Sequence, residues 1–122
     1  MGVNSNELQQ TKFLTFLTAD IVAAGVTTSQ FIDENSNALT LETIRAQFGN
    51  NLNTLIILNT GAVDFWFSLD GKRISKVNKA NGSFSMDWKD GVNFNRLEIT
   101  NADSVTSSAA GDLSITIGRT EA

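Results

Sequence analysis

Hydrophobic and polar residues alternate with a period of two through most of the second half of the chain. Asp-Gly and Asn-Gly pairs break the alternation at short intervals. A period of two sends successive side chains to opposite faces of a strand. The Gly pairs tolerate the positive φ that a tight hairpin turn requires. In VDFWFSL, Val63, Phe65, Phe67 and Leu69 fall on one face, with Asp64, Trp66 and Ser68 on the other, and Asp70-Gly71 closes the strand. KRISKV follows as a weaker strand near a sheet edge, where its lysines discourage pairing with another edge. Asn81-Gly82 forms the next turn, which already accounts for the asparagine of the sequon Asn81-Gly82-Ser83. SFSMDW alternates most regularly, Phe84, Met86 and Trp88 against Ser83, Ser85 and Asp87, before a turn at Asp90-Gly91. In VNFNRLEIT the parity slips between Val92, Phe94 and Leu97, Ile99. A β-bulge near Asn95-Arg96 would return all four to the core. Residues 101–111 read as a small-residue loop around Val105, and Leu113, Ile115 and Ile117 as a last strand ended by Gly118.

The first half is less regular. Residues 1–11 are polar and form an expected flexible arm whose apolar residues of note are Val3 and Leu8. Residues 12–24 carry two patterns at once: Phe13, Leu17 and Ile21 repeat at four, whereas Leu14 and Phe16 fit a period of two and Thr15 and Thr18 favour a strand. Helix and strand both stay open there. Asp33 to Asn37 marks a turn. Over residues 40–48, Leu41, Ile44 and Phe48 share a helical face between a Thr40 N-cap and a Gly49 C-cap, which predicts a short helix. TLIILN is apolar on both parities, so it predicts a strand that is central or covered on both sides. Together these elements predict an all-β fold: an antiparallel β-sandwich with a minor N-terminal helical element. Jelly-roll wiring is compatible with it. A single domain spans 12–122.

Composition narrows the chemistry. The 122 residues include no Cys, no His, no Tyr and no Pro. Disulfides, thiolate metal sites and a Ser-His-Asp set are therefore excluded, and the commonest transition-metal ligand is missing. Nine basic residues against thirteen acidic ones give a net charge of -4, which argues against nonspecific nucleic-acid binding. The residues Lys72, Arg73, Lys76 and Lys79 read as a solvated hairpin rim before a phosphate-contact patch. The leading segment has no basic start followed by an apolar run, and no stretch approaches a membrane span, so neither a secretory signal nor membrane partnership is expected. A sheet without proline must protect its edges by charge, bulges, loops or burial in an assembly.

The carboxylates are mostly absorbed by turns. Asp87, Asp90 and Asp103 do not have the spacing of a calcium loop, so no metal or other cofactor is expected. Asp64, Asp87 and Glu98 are the candidates for a paired-acid hydrolase, if two of them met across the sheet. Trp66 has the parity opposite to its aromatic neighbours. It either packs under a second layer, contacts another subunit, or stacks on a sugar ring.

The run from Phe65 to Gly118 resembles the C-terminal sandwich half of small virion proteins of tailed bacteriophages, the head decoration and neck or tail accessory class. The matching pieces are Phe65 to Leu69, Ser83 to Trp88, Gly91 to Thr100 and Leu113 to Gly118; the proline common in the loops of that class is missing. The resemblance implies a non-enzymatic structural protein of the virion, made in the host cytoplasm. It would form a symmetric homo-oligomer, such as a trimer, and bind other virion proteins. Trp66, Val3, Leu8, Lys72 and Arg73 are the candidate interface residues. The alternatives are a carbohydrate- or receptor-binding module using Trp66, and a hydrolase.

Overall fold

A computed structural model describes residues 13–48, 52–88 and 94–119. Among them are β1 (Phe13–Thr18), β2 (Thr27–Thr28), β3 (Gln30–Ile32), β4 (Ala38–Thr40), α1 (Leu41–Phe48) and β5 (Thr54–Asn59). The second half adds β6 (Phe65–Leu69), β7 (Lys72–Val77), β8 (Gly82–Asp87), β9 (Leu97–Asn101) and β10 (Leu113–Arg119). A six-stranded sheet has the order β4-β3-β1-β10-β5-β8, and a four-stranded sheet the order β2-β9-β6-β7; every pairing is antiparallel. Among the described residues the fold is all-β, two sheets in a sandwich-like arrangement with a short helix. Val3, Leu8, Gly49, Asp90-Gly91 and Val92 lie outside the described residues.

The inward parities meet in one core. Leu17, Leu55, Ile57, Ile115 and Ile117 come from the larger sheet, and Phe65, Phe67, Val77, Leu97 and Ile99 from the smaller. Phe84 reaches across to Phe67 with ring centroids 4.4 Å apart. Each fully buried side chain of this size contributes about 1.5–3 kcal/mol. The helix adds Leu41 and Ile44 to the core. Thr40 caps it as expected, its Oγ1 accepting the Thr43 N–H at 3.3 Å.

The open choice at residues 12–24 resolves as strand over Phe13–Thr18. This segment pairs residue for residue with β10. Leu17 faces the core, while Ile21 lies in solvent beyond the strand end, so the repeat at four was not a helical face. The turn at Asp70-Gly71 forms as expected; the next turn includes Asn81 but sits one residue earlier than the Asn81-Gly82 pair, with Gly82 already in β8. Asp70, Gly71, Ala80 and Asn81 all have positive φ. A Cβ on Gly82 would collide with the Asn78 backbone.

Two expectations are corrected. No bulge occurs at Asn95-Arg96. Strand β9 begins only at Leu97 and pairs with β6 without a register shift. The parity change lies in the bend before the strand, where Asp70 Oδ1 accepts the N–H groups of Asn95 and Arg96, each at 2.9 Å. That bend lets both Phe94 and Leu97 be buried. The bulge is instead in β7: Phe67 pairs with Ser75 but Ser68 with Arg73, leaving Ile74 unpaired. The loop at 101–111 is likewise not built around Val105, which is exposed; Asn101 and Ser108 are its buried residues.

Two asparagines tie the sandwich together at one end. Asn59, fully buried at the end of β5, donates from Nδ2 to Val63 O at 2.7 Å and Val77 O at 3.0 Å, and accepts the Gly61 N–H at Oδ1. Its own strand is in the larger sheet; Val77 ends β7 in the smaller. Asn101 mirrors it from the end of β9. Its Nδ2 donates to Val22 O and Thr106 O, both at 2.9 Å, and its Oδ1 accepts the Asp103 N–H. Ser108 completes this join by accepting the Val22 N–H at its Oγ and donating its own N–H to Val22 O. Each amide thus closes its own turn and binds the main chain of another segment. Buried carbonyls left without donors cost about 1–3 kcal/mol each. Asn59→Ala is therefore expected to lower unfolding free energy by roughly 3 kcal/mol in urea denaturation. Asn59→Asp, which turns a donor toward two carbonyls into an acceptor, should cost more still. An Asn59→Asp protein as stable as wild type would remove the clamp from this account.

Candidate functional site

The sandwich leaves two outer faces, and they differ in chemistry. The smaller sheet presents Trp66 and Ser68 from β6, Glu98 and Thr100 from β9, and Arg73 and Lys76 from β7. In a regular strand, residues three apart point to opposite faces. The bulge at Ile74 cancels that, so Arg73 and Lys76 both lie over Trp66, at 4.7 and 5.2 Å from the ring centroid. Trp66 is half-buried beneath them. Two cations on the ring leave its face already occupied, which weighs against sugar stacking there. Lys72, also a candidate interface residue, is exposed at the start of β7, an edge strand as expected. Replacing both Arg73 and Lys76 by Ala in a Trp88→Phe background should raise quenching of Trp66 by the neutral quencher acrylamide. Stability should fall by no more than about 1–2 kcal/mol. Unchanged quenching would mean that the cations do not cover the ring in solution.

The candidate carboxylates do not converge. Asp87 ends β8 in the larger sheet and accepts the Thr54 hydroxyl at 2.7 Å. Glu98, on the other sheet, pairs with Arg96 at 3.3 Å. Asp64 accepts the Lys79 N–H at 2.7 Å. Glu98 pairs across from Ser68, four residues from Asp64, a separation of about 13 Å along the strand. The two carboxyl groups of a glycosidase lie about 5–9.5 Å apart, so this trio supports no such pair. Asp87 and Asp103 stand at opposite ends of the sandwich, since Asp87 pairs with Thr54 at one end of β5, whereas Asp103 follows Asn101 near the clamps at the other. Among the described residues no three acidic side chains gather as a metal site would need.

Asp103 is used locally. Its Oδ2 accepts the Val105 and Thr106 N–H groups at 3.0 and 2.6 Å, and these bonds hold its carboxyl below the ordinary value of 3.8. A depressed folded-state value stabilises the loop at pH above the unfolded value, and the contribution is lost as pH falls through the folded one. Amide exchange at Val105 and Thr106 should therefore accelerate on acidification below about pH 4 relative to the intrinsic rate. Asp103→Asn should abolish that pH dependence; a titration unchanged in this variant would contradict the assignment.

The outer face of the larger sheet is the feature that pattern reading missed. TLIILN is central, as expected; its inner face is covered throughout, whereas on its outer face Thr54 is buried and Ile56 and Leu58 are left exposed. Leu14 and Phe16 on β1 are 45% and 49% exposed, and Ile56 and Leu58 on β5 are 39% and 36% exposed. Between these two apolar ridges runs a furrow of small residues on β10, with Ser114 and Thr116 half-buried and Gly118 buried. Beyond β5 a second furrow, Ser83 and Ser85, lies on the edge strand β8. Registry aligns them in rows, Phe16–Thr116–Ile56–Ser85 being the middle one. Among the described residues of all six strands, this face carries one ionisable side chain, Asp87 at its rim. The double apolar parity of TLIILN was the available signal; the sequence did not say which parity would be left bare. Beside this face, where the chain crosses from β1 toward β2, Ile21, Val26 and Ile32 line a groove of about 400 Å³.

No protein-family model matches the chain, and no curated protein is significantly similar to it in sequence.

Proposed function

We propose that this protein is a structural component of an assembly, of the small virion-protein kind that its second half resembles, and that it works by docking rather than by turnover. The observation that carries this reading is the bare outer face of the larger sheet. A flat sheet surface with four large apolar side chains partly exposed and one rim charge is poorly suited to bulk water. Antiparallel sheets that face water normally show polar side chains on that side. Here the polar positions are Ser and Thr, small enough to be buried against a neighbour. The hydroxyl-rich, sparsely charged composition, with 37 Asn, Ser and Thr residues against 22 charged ones, supports the same reading. So does the absence of proline, because an assembly can bury sheet edges that nothing in the sequence blocks.

The test is incorporation. The full-length chain should be found by mass spectrometry in purified particles made from its own gene neighbourhood. Ile56→Lys should lose incorporation at least tenfold, because burying an unpaired ammonium in the contact costs more than about 1.4 kcal/mol. Trp66→Ala, on the other face, should retain it. Absence of the wild-type chain from particles, or equal incorporation of Ile56→Lys, would overturn the reading.

A further inference from the structure

We propose that the bare sheet face is covered by a second copy of this chain, the two copies packing face to face about a two-fold axis with ridges seated in furrows. The proposal rests on the docking role argued above. Its ground is that the face is self-complementary in shape and in charge.

The four strands β1, β10, β5 and β8 alternate as ridge, furrow, ridge, furrow at the regular strand spacing of about 4.8 Å. A two-fold axis running along the strands, midway between β10 and β5, exchanges β10 with β5 and β1 with β8. Every ridge of one copy then lies over a furrow of the other. Because such an axis preserves position along the strand, Ile56 of one copy meets Thr116 of the second, and Phe16 meets Ser85. A two-fold axis perpendicular to the strands would stack ridge on ridge instead. The alternation thus selects an axis along the strands, and of the positions open to it only the one between β10 and β5 seats both ridges in both furrows. Aligned sheets pack with a modest twist between them, which leaves this register intact near the axis.

Charge points the same way. Twenty-two ionisable side chains give the chain a net charge of -4. Copies repel over most of their surface, whereas the four strands of this face contribute only Asp87, already bonded to Thr54, and Asp33 and Glu34 stand beside Leu14 and Phe16 at its outer margin. Four strands about six residues long give a projected footprint of roughly 400 Å² per copy. With the ridges meshed, two copies bury on the order of 1,000 Å² in total, the lower bound of a specific interface. The expected dimer is of moderate affinity, suited to a contact that further neighbours reinforce.

Sedimentation equilibrium on the full chain tests this. Wild type should form a concentration-dependent dimer. Thr116→Lys and Ile56→Glu, each with wild-type circular dichroism, should weaken it by about tenfold or more. Mixing these two variants should restore a dimer, because the new ammonium at 116 of one copy sits over the new carboxylate at 56 of the other. Should either central-strand variant fail to fold, Ser85→Arg on the exposed edge strand makes the same test opposite Phe16. A wild-type monomer, a dimer indifferent to these changes, or a mixture without rescue would each overturn the packing. A monomer that still enters particles, and is excluded from them by Ile56→Lys, refutes the dimer and leaves the docking role standing. A dimer that never enters particles does the reverse.

Discussion

The join between the two sheets depends on two buried side-chain amides. A sandwich core of Leu, Ile, Val and Phe is held by a non-directional force, and such a core tolerates many relative placements of its layers. Asn59 and Asn101 remove that freedom at one end. Each ends a strand and closes the turn that follows through its Oδ1. Each then gives one N–H to its own turn or loop and the other to the main chain of a distant segment, Val77 for Asn59 and Val22 for Asn101. A buried amide satisfied in this way is directional, so the layers have one register in which its partners are all met. The rest follows from that register: Phe67 against Phe84, the crossing at Val22, and the placement of the loops around Gly61 and Ser108.

With the layers fixed, one face of each sheet is committed to the core, and the outer faces diverge. The smaller sheet covers its outward-facing tryptophan from within the chain, through Arg73 and Lys76. The larger sheet has nothing comparable among the described residues. Its ridges stand beside furrows of Ser, Thr and Gly. That contrast separates a surface covered from within the chain from one that leaves Phe16, Ile56 and Leu58 in solvent. The carboxylates tell a consistent story. Asp33, Asp64, Asp70, Asp103 and Asp112 accept backbone N–H groups in turns and loops, and Asp87 accepts a hydroxyl. They are spent on shaping the chain.

Much of the fold could be read from the sequence, and each case has a local reason. Strand alternation in VDFWFSL and SFSMDW, the positive-φ turns at Asp70-Gly71 and Asn81, and the Thr40 cap are governed by residues adjacent in the chain. The failures were non-local. Leu14, Phe16 and Leu17 gave conflicting periods because β1 is apolar on both faces, and only its pairing with β10 decided between them. The parity slip before Leu97 had two solutions, a bulge or a delayed strand start. Asp70, some 25 residues away, selected the second by binding both amides of the bend. The candidate site was less legible. Trp66 stood out, but the cations that cover it depend on a bulge at Ile74 that no residue pattern announces.

The class of fold, the turn at Asp70-Gly71, the short helix and the exclusion of histidine- and cysteine-based chemistry were legible in the residues alone. All of these depend on residue identity or on neighbours within a few positions. Stacking of the sheets, by contrast, set which apolar parity is buried, how the asparagines bridge the layers, and which apolar surface is left exposed. A strand with apolar side chains on both faces carries no local mark of its covered side. That choice is made when sheets from distant parts of the chain stack, and here stacking buried Leu55 and Ile57 and left Ile56 and Leu58 outside.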